Sequence, residues 1–328
     1  MLGYLSKSVL LLFFLIVIVC GIYPLSLWLI GQTFFPFQAN GSLLMGSDGK
    51  PIGSALIAQP FTKAEFFQPR PSAASYDASA STSSALAASN YALRDRVARS
   101  IGPIAKYQTG QLIGPHIEKW FQGKKEIVAK WASKHHALAE AWVTSDPTHT
   151  AYVDNWAKSH QAIVAQYIKD NPSNPTPKAS DLAVVFFQQF SHDYPGQFPA
   201  AKNQVGANDK TEMMIVPVNT GTDIQAIFFD MWLQDHPQVV LKPVPGDFVT
   251  TSASGLDPHI TLQSALFQLD RIARAWAIKL KRDHKKIAAE IHQLLQKNTQ
   301  APFAGLTGEK FVNVLEMNLA LTKQWGSA

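Results

Sequence analysis

Few side chains in this sequence have the type and spacing for chemistry. Asp257-Pro258-His259 sets a carboxylate two residues from an imidazole. A neighbouring carboxylate raises a histidine's pKa, so such a pair can work as acid and base near neutral pH. The same tripeptide is also what a turn and helix entry require: the aspartate accepts backbone N–H bonds, the proline fixes φ, and the helix follows. No Gly-x-Ser-x-Gly elbow and no second carboxylate at telling spacing accompanies it, so the turn is the expected role. Asp209-Lys210-Thr211 begins like a loop whose aspartate accepts a phosphoryl group. Glu212-Met213 stand where Gly-Thr should follow, and no G-x-x-x-x-G-K-[ST] occurs anywhere. A three-letter match carries little weight, and the surrounding AKNQVGANDKTE reads as a polar loop.

The ten histidines include His116, His135, His136 and His160, but no H-E-x-x-H. Packing or helix capping is their expected role, and no metal site is expected. Cys20 is the only cysteine, which excludes a disulfide scaffold and any cysteine-based zinc site. Lys279–Lys286 carries five basic residues against Asp283. Basic clusters meet nucleic acid or anionic headgroups; here a solvated helix face, or a contact with acidic loops of a partner, is expected, and nucleic acid is not. Arg70, between two prolines, is expected to be a structural hydrogen-bond donor or a partner contact. No residue is expected to be catalytic, and no cofactor-binding residue can be named.

The elements that must position these residues begin in a membrane. Of 328 residues only 16% are charged, against about 25% in an average soluble domain, and 46% are hydrophobic, enough for one or two packed domains. Val9–Ile30 is 22 residues without a charge. At about 1.5 Å per residue it crosses a hydrocarbon core of about 30 Å, where backbone groups are satisfied only in a helix. A cleavable signal would have an apolar core of about 7–15 residues ending at small residues, whereas this run continues through Trp28. Val19 is bulkier than the residue that lipoprotein processing needs before Cys20. Lys7 is the only basic residue before the span and Lys50 the next one after it, which puts the N-terminus in the cytoplasm and the bulk of the chain outside.

Beyond the span, residues 41–57 read as a β-hairpin turning at Ser47-Asp48-Gly49-Lys50, residues 72–90 as a Ser/Ala-rich loop, and residues 91–106 as a short helix. Residues 131–147 align with 156–172 at an offset of 25, sharing Trp131/Trp156, His135/His160 and Pro147/Pro172. FFQQFSHDYP at 186–195 and FFDMWLQDHP at 228–237 form a second pair, and each unit reads as an amphipathic helix stopped by proline. Repeats that cannot bury their own apolar face tend to stack, which predicts a helical add-on here. Residues 111–245 hold 11 basic and 13 acidic side chains, and the remainder 18 and 11, so the positive charge is not on the repeats. A helix is predicted from about Leu262, its stripe resuming at Ile287, Ile291 and Leu294, and Phe311–Leu321 alternates as a half-buried strand would.

Several segments together resemble the C subunit family of the Kdp potassium-transporting ATPase, KdpC. They are the span ending in Tyr23-Pro24, Gln38–Ser42, Gly53–Ile57, Phe67–Ala73, Thr251–Ile260 and Val312–Leu319, in the family's order, covering roughly residues 5–108 and 244–322. The block from about 110 to 243 departs from it, splitting the loop between the two halves. The resemblance implies an α+β fold: one N-terminal transmembrane helix, then an extracytoplasmic mixed α/β domain carrying a helical repeat insertion. The expected organisation is 1–8 cytoplasmic, 9–30 transmembrane, 31–109 and 244–328 as two halves of the outer domain, and 110–243 inserted. It further implies a non-catalytic, single-span subunit of the plasma membrane. Its implied partners are the channel-like A subunit, the P-type ATPase B subunit, a small F-like subunit and the bilayer. ATP use belongs to the B subunit, whose ATP affinity the C subunit is proposed to raise. The rival reading is a membrane-anchored periplasmic binding protein recognising its ligand through the Trp-rich repeats. A third, a tethered hydrolase using Asp257 and His259, is the least supported.

Overall fold

The computed structural model describes residues 2–46, 49–205 and 211–326. The N-terminal apolar run is helical well beyond the predicted 9–30, as α1 (Leu2–Ile16), a π-helical segment (Val17–Ile22) and α2 (Tyr23–Phe34). The wider turn has a cause in the sequence: Pro24 brings no N–H to the ladder, and Tyr23 N–H bonds back five residues to Ile18 O. The rest of the chain buries none of this helix's apolar window. Cys20 is exposed on it. A four-residue helix α3 (Pro36–Ala39) leads to β1 (Leu43–Met45) and β2 (Pro51–Ser54), which pair antiparallel, Leu43 with Ser54 and Leu44 with Gly53. The flanks of the predicted hairpin are therefore in place, while Ser47-Asp48 lies outside the described residues. The Ser/Ala-rich stretch makes turns, with only short range order of its own, but Thr82 N–H reaches Ser254 O at 3.0 Å.

The chain divides into two compact units, 1–85 with 245–328, and 86–244. The second unit begins with α4 (Tyr91–Ile101), capped by Asn90, whose side chain accepts from Ala92 N. It continues through α5 (Gly114–Gln122), α6 (Ile127–Lys134), α7 (His136–Thr144), α8 (Pro147–Ser159), α9 (Gln161–Asp170) and α10 (Ala183–Asp193). A hairpin follows, β3 (Phe198–Val205) against β4 (Thr211–Val218), registered from Phe198–Val218 to Val205–Thr211. Asp209 and Lys210 lie outside the described residues. Helices α11 (Thr222–Ile227) and α12 (Phe229–Asp235) close the unit. The core is aromatic: Trp131 sits 5.1 Å from Phe187 and 5.7 Å from Phe198, and Phe121 lies 4.6 Å from Phe228.

Both aligned stretches take the same local course, a helix broken at His135 or His160 (φ −128° and −119°) and a second helix stopped before proline. Their burial differs. The first copy buries Trp131, Ala132, Ala139 and Val143, whereas in α9 no residue is buried.

The first unit resumes with a 3-10 turn (Gly246–Phe248), β5 (His259–Thr261) and α13 (Leu262–Leu280), capped by Thr261 through Ser264 N. Then come α14 (His284–Asn298), capped by Asp283, β6 (Phe311–Asn313) and α15 (Val314–Trp325). β5 and β6 pair antiparallel, Ile260 opposite Val312. The predicted strand over Phe311–Leu321 is thus only three residues long. Asn313 accepts from Glu316 N and starts a helix, so Val314, Leu315, Met317 and Leu321 enter the core from α15. Phe67, Ile260, Ile272, Trp276, Ile287, Ile291, Val312 and Met317 form that core, Phe67 and Met317 with no exposed surface. Burying Phe67 accounts for roughly 1.5–3 kcal/mol of stabilisation.

Candidate functional site

Arg70 sits between Pro69 and Pro71 in a segment without regular secondary structure, and three backbone or hydroxyl groups of residues 250–251 receive its guanidinium. Nε donates to Thr250 O (3.2 Å), and Nη2 to Thr250 Oγ1 (3.0 Å) and Thr251 O (3.3 Å). Two carboxylates flank it, Asp257 at 3.9 Å and Asp247 at 4.0 Å. Asp247 Oδ2 accepts both N–H and O–H of Thr261 at 2.7 Å, the residue that caps α13. Asp257 Oδ1 accepts His259 N at 3.0 Å and lies 2.9 Å from His259 Nδ1. Burial by itself would push the Asp257 carboxyl up. The hydrogen bonds from His259, with the charges of His259 and Arg70, outweigh it and hold the carboxyl below its ordinary value.

The stretch from Ser252 to Ile260 is stitched on both sides. Ser72 Oγ donates to Gly255 O, Ala58 N to Leu256 O (2.8 Å) and Val314 N to Pro258 O (3.0 Å). Gly255 has φ +71°, and a Cβ there would stand 2.9 Å from Thr82 O. This position therefore requires glycine on both counts. The His259 ring meets Phe311 edge-on at 4.9 Å. Asp257 and His259 are thus brought together as the carboxylate–imidazole pair of the sequence, inside a turn that leads through β5 into α13. What the arrangement does chemically is hold a loop, with each acid satisfied by N–H, O–H or guanidinium donors.

A second group of side chains, without a signal in the sequence, binds residues 64–68. The Asn318 carboxamide takes both backbone groups of Phe67 (2.8 and 2.9 Å), and Gln268 takes both of Gln68 (2.8 and 3.0 Å). Arg271 donates to Ala64 O and Phe66 O, and Trp276 Nε1 to Glu65 O. Burial lowers the Arg271 pKa, as expected for a guanidinium drawn from water.

The comparison with known proteins identifies the two segments joined by these bonds. The family model "K+-transporting ATPase, c chain", KdpC, matches residues 5–116 and 221–323. The chain belongs to the KdpC family. It is similar to the potassium-transporting ATPase KdpC subunit of Microcystis aeruginosa, 28% identical over 305 residues that cover 93% of this chain and 88% of the relative. The corresponding subunit of Ralstonia nicotianae is 27% identical over 323 residues, 97% and 91% of the two chains. That of Pseudomonas putida is 45% identical over 109 residues, 33% of this chain and 58% of the relative. Arg70, Ser72 and Phe67 lie in the first stretch matched to KdpC, and Asp247–Thr261, Gln268 and Asn318 in the second.

The remaining candidates are dispersed. Lys279 lies 3.5 Å from Glu65 and 5.0 Å over Trp276, Arg282 pairs with Glu290, and His284 lies 3.1 Å from Asp270. Two of the five basic residues of 279–286, Lys279 and Arg282, therefore have a carboxylate partner within the chain. His116 Nδ1 meets Tyr107 OH at 2.8 Å, and His160 Nδ1 meets Trp156 O at 2.9 Å. Among the described residues no three or more His, Cys, Asp or Glu side chains are grouped to hold a metal ion. The repeat tryptophans pack inward: Trp131 is 2% exposed, and Trp142 and Trp156 meet the Phe186 ring at 6.0 and 5.4 Å.

Proposed function

We propose that this chain is a non-catalytic accessory subunit of an ATP-driven potassium importer. It assembles with a channel-like A subunit, a P-type ATPase B subunit and a small F-like subunit. Its one helix crosses the plasma membrane, and the bulk of the chain faces the periplasm, where its outer domain orders or covers the potassium entrance. The observation that carries this reading is the N-terminal helix of a KdpC-family chain, Gly3–Phe34, whose apolar window has no cover from the rest of the chain. Such a surface is satisfied by lipid, and it leaves room for packing against partner helices. We further propose that residues 110–243 are an insertion into the outer domain.

With the bulk outside, this chain does not touch nucleotide. Any rise in the B subunit's affinity for ATP then passes through the membrane helices. ATP is the substrate of that partner, and catalysis by this chain is not part of the reading, since its Asp257–His259 pair is engaged in a turn.

Affinity purification of the tagged full chain from mild detergent tests the assembly. Recovery of the channel and ATPase subunits is expected; their absence overturns it. Deletion of 110–243 is expected to preserve growth at low potassium, whereas a binding protein working through the repeats would lose its activity.

A further inference from the structure

A basic surface in the 86–244 unit has no role in the proposal above. Lys124, Lys125, Lys130 and Lys134 fall within residues 124–134, interrupted by one acid, Glu126. Lys130 and Lys134 stand four residues apart on α6, where like charges repel. Two clefts flank this ridge and share both lysines. One, of about 380 Å³, is lined by Trp120, Lys124, Lys125, Lys130, Lys134 and Asp235 among others. The other, of about 460 Å³, adds Ser133, Gln188 and His192.

The two acids beside the ridge, Glu126 and Asp235, offset only part of the charge of its four lysines. Asp235 is engaged, 2.9 Å from Lys124 Nζ and accepting the Trp120 indole N–H at 3.0 Å, and these bonds hold its carboxyl below the ordinary value. Among the described residues, Lys125, Lys130 and Lys134 have no carboxylate within ion-pair distance. All three are exposed. Glu126 lines both clefts, so each wall mixes signs with lysines in excess, and such a net positive wall concentrates anionic counter-ions. Ammonium groups one helical turn apart, with three donors each, suit an anion carrying several oxygens and more than one charge. The ridge lies in 117–220, outside the family match, so nothing in the family match accounts for it.

We propose that the clefts on either side of Lys130 and Lys134 bind a phosphate-bearing anion, either a soluble phosphate compound or the headgroup of an anionic phospholipid. Lysine acetylation rates read by mass spectrometry on the full chain test this in two arms. In neutral detergent the probe is inorganic phosphate against equal ionic strength of chloride. In nanodiscs it is phosphatidylglycerol against phosphatidylcholine. At saturating probe, acetylation of Lys125, Lys130 and Lys134 is expected to slow by about threefold or more, with Lys158 and Lys169 of the same unit unchanged. Slowing by phosphate assigns a soluble ligand, and slowing by phosphatidylglycerol alone assigns the headgroup. In a Lys130→Glu, Lys134→Glu variant the protection of Lys125 is expected to vanish. Unchanged rates in both arms, equal slowing at Lys158 and Lys169, or full protection of Lys125 in the variant would overturn the proposal.

Discussion

The side-chain amide of Asn318 satisfies both backbone groups of Phe67, 251 residues earlier in the chain, accepting from its N–H at 2.8 Å and donating to its carbonyl at 2.9 Å. Both residues are buried, so neither backbone group has water as an alternative. Asn318→Leu keeps the number and branching of side-chain heavy atoms and removes both bonds. Each of the two orphaned buried groups costs about 1–3 kcal/mol, so a loss of roughly 2–6 kcal/mol is expected in thermal unfolding of the full chain in detergent. A midpoint unchanged from wild type would show that this clamp contributes nothing.

Gly255→Ala should destabilise the same unit by a separate route. The residue sits at φ +71°, and the added methyl would press on Thr82 O at 2.9 Å. A strained positive φ alone costs about 1–3 kcal/mol. Faster amide exchange at Thr82, whose N–H bonds Ser254 O, is the local readout.

How much of this was legible follows from where the information lies. The membrane helix is legible because an uncharged run from Val9 to Ile30 has one stable form in lipid. Helices α13 and α14 are legible from stripes at three- and four-residue steps. The strand expected over Phe311–Leu321 fails from residue 314 on because six of residues 314–321 are apolar and the two polar ones, Glu316 and Asn318, stand two apart, so periods of 2 and 3.6 both fit, and the capping role of Asn313 appears only once Glu316 N is placed upon it. The turn at Asp257 and the donor role of Arg70 could be anticipated from residue type. The acceptors on Thr250 and Thr251, 180 and 181 residues away, could not. Gln268 and Asn318 carried no local signal because their partners lie 200 and 251 residues away in sequence.

The Asp257 carboxyl gives a pH dependence with a definite sign. Its folded value lies below its unfolded one. The stability it contributes is therefore fully present above the unfolded value, about 3.9, and is lost as pH falls through the depressed folded value. His259→Phe removes the side-chain bond. The Asp257 midpoint in a carboxyl-carbon NMR titration should rise, and the stability gap between wild type and variant, open above the unfolded value of about 3.9, should narrow as pH falls below it. An unmoved midpoint would contradict the assignment of His259 as its partner.

Lys281 ends α13 in the left-handed region at φ 51°, a conformation that glycine adopts freely. Lys281→Gly is expected to stabilise the chain by about 0.5–1 kcal/mol, read as a higher unfolding temperature. A lower one would mean that the lysine side chain contributes more than the backbone strain costs.

Sidedness tests the central reading most directly. In a Cys20→Ser background, Val240→Cys and Leu306→Cys place one thiol in each compact unit at positions 67% and 84% exposed. A membrane-impermeant maleimide should label both in spheroplasts and neither in sealed inverted vesicles. Labelling in the inverted vesicles alone would put the bulk of the chain in the cytosol and contradict the account.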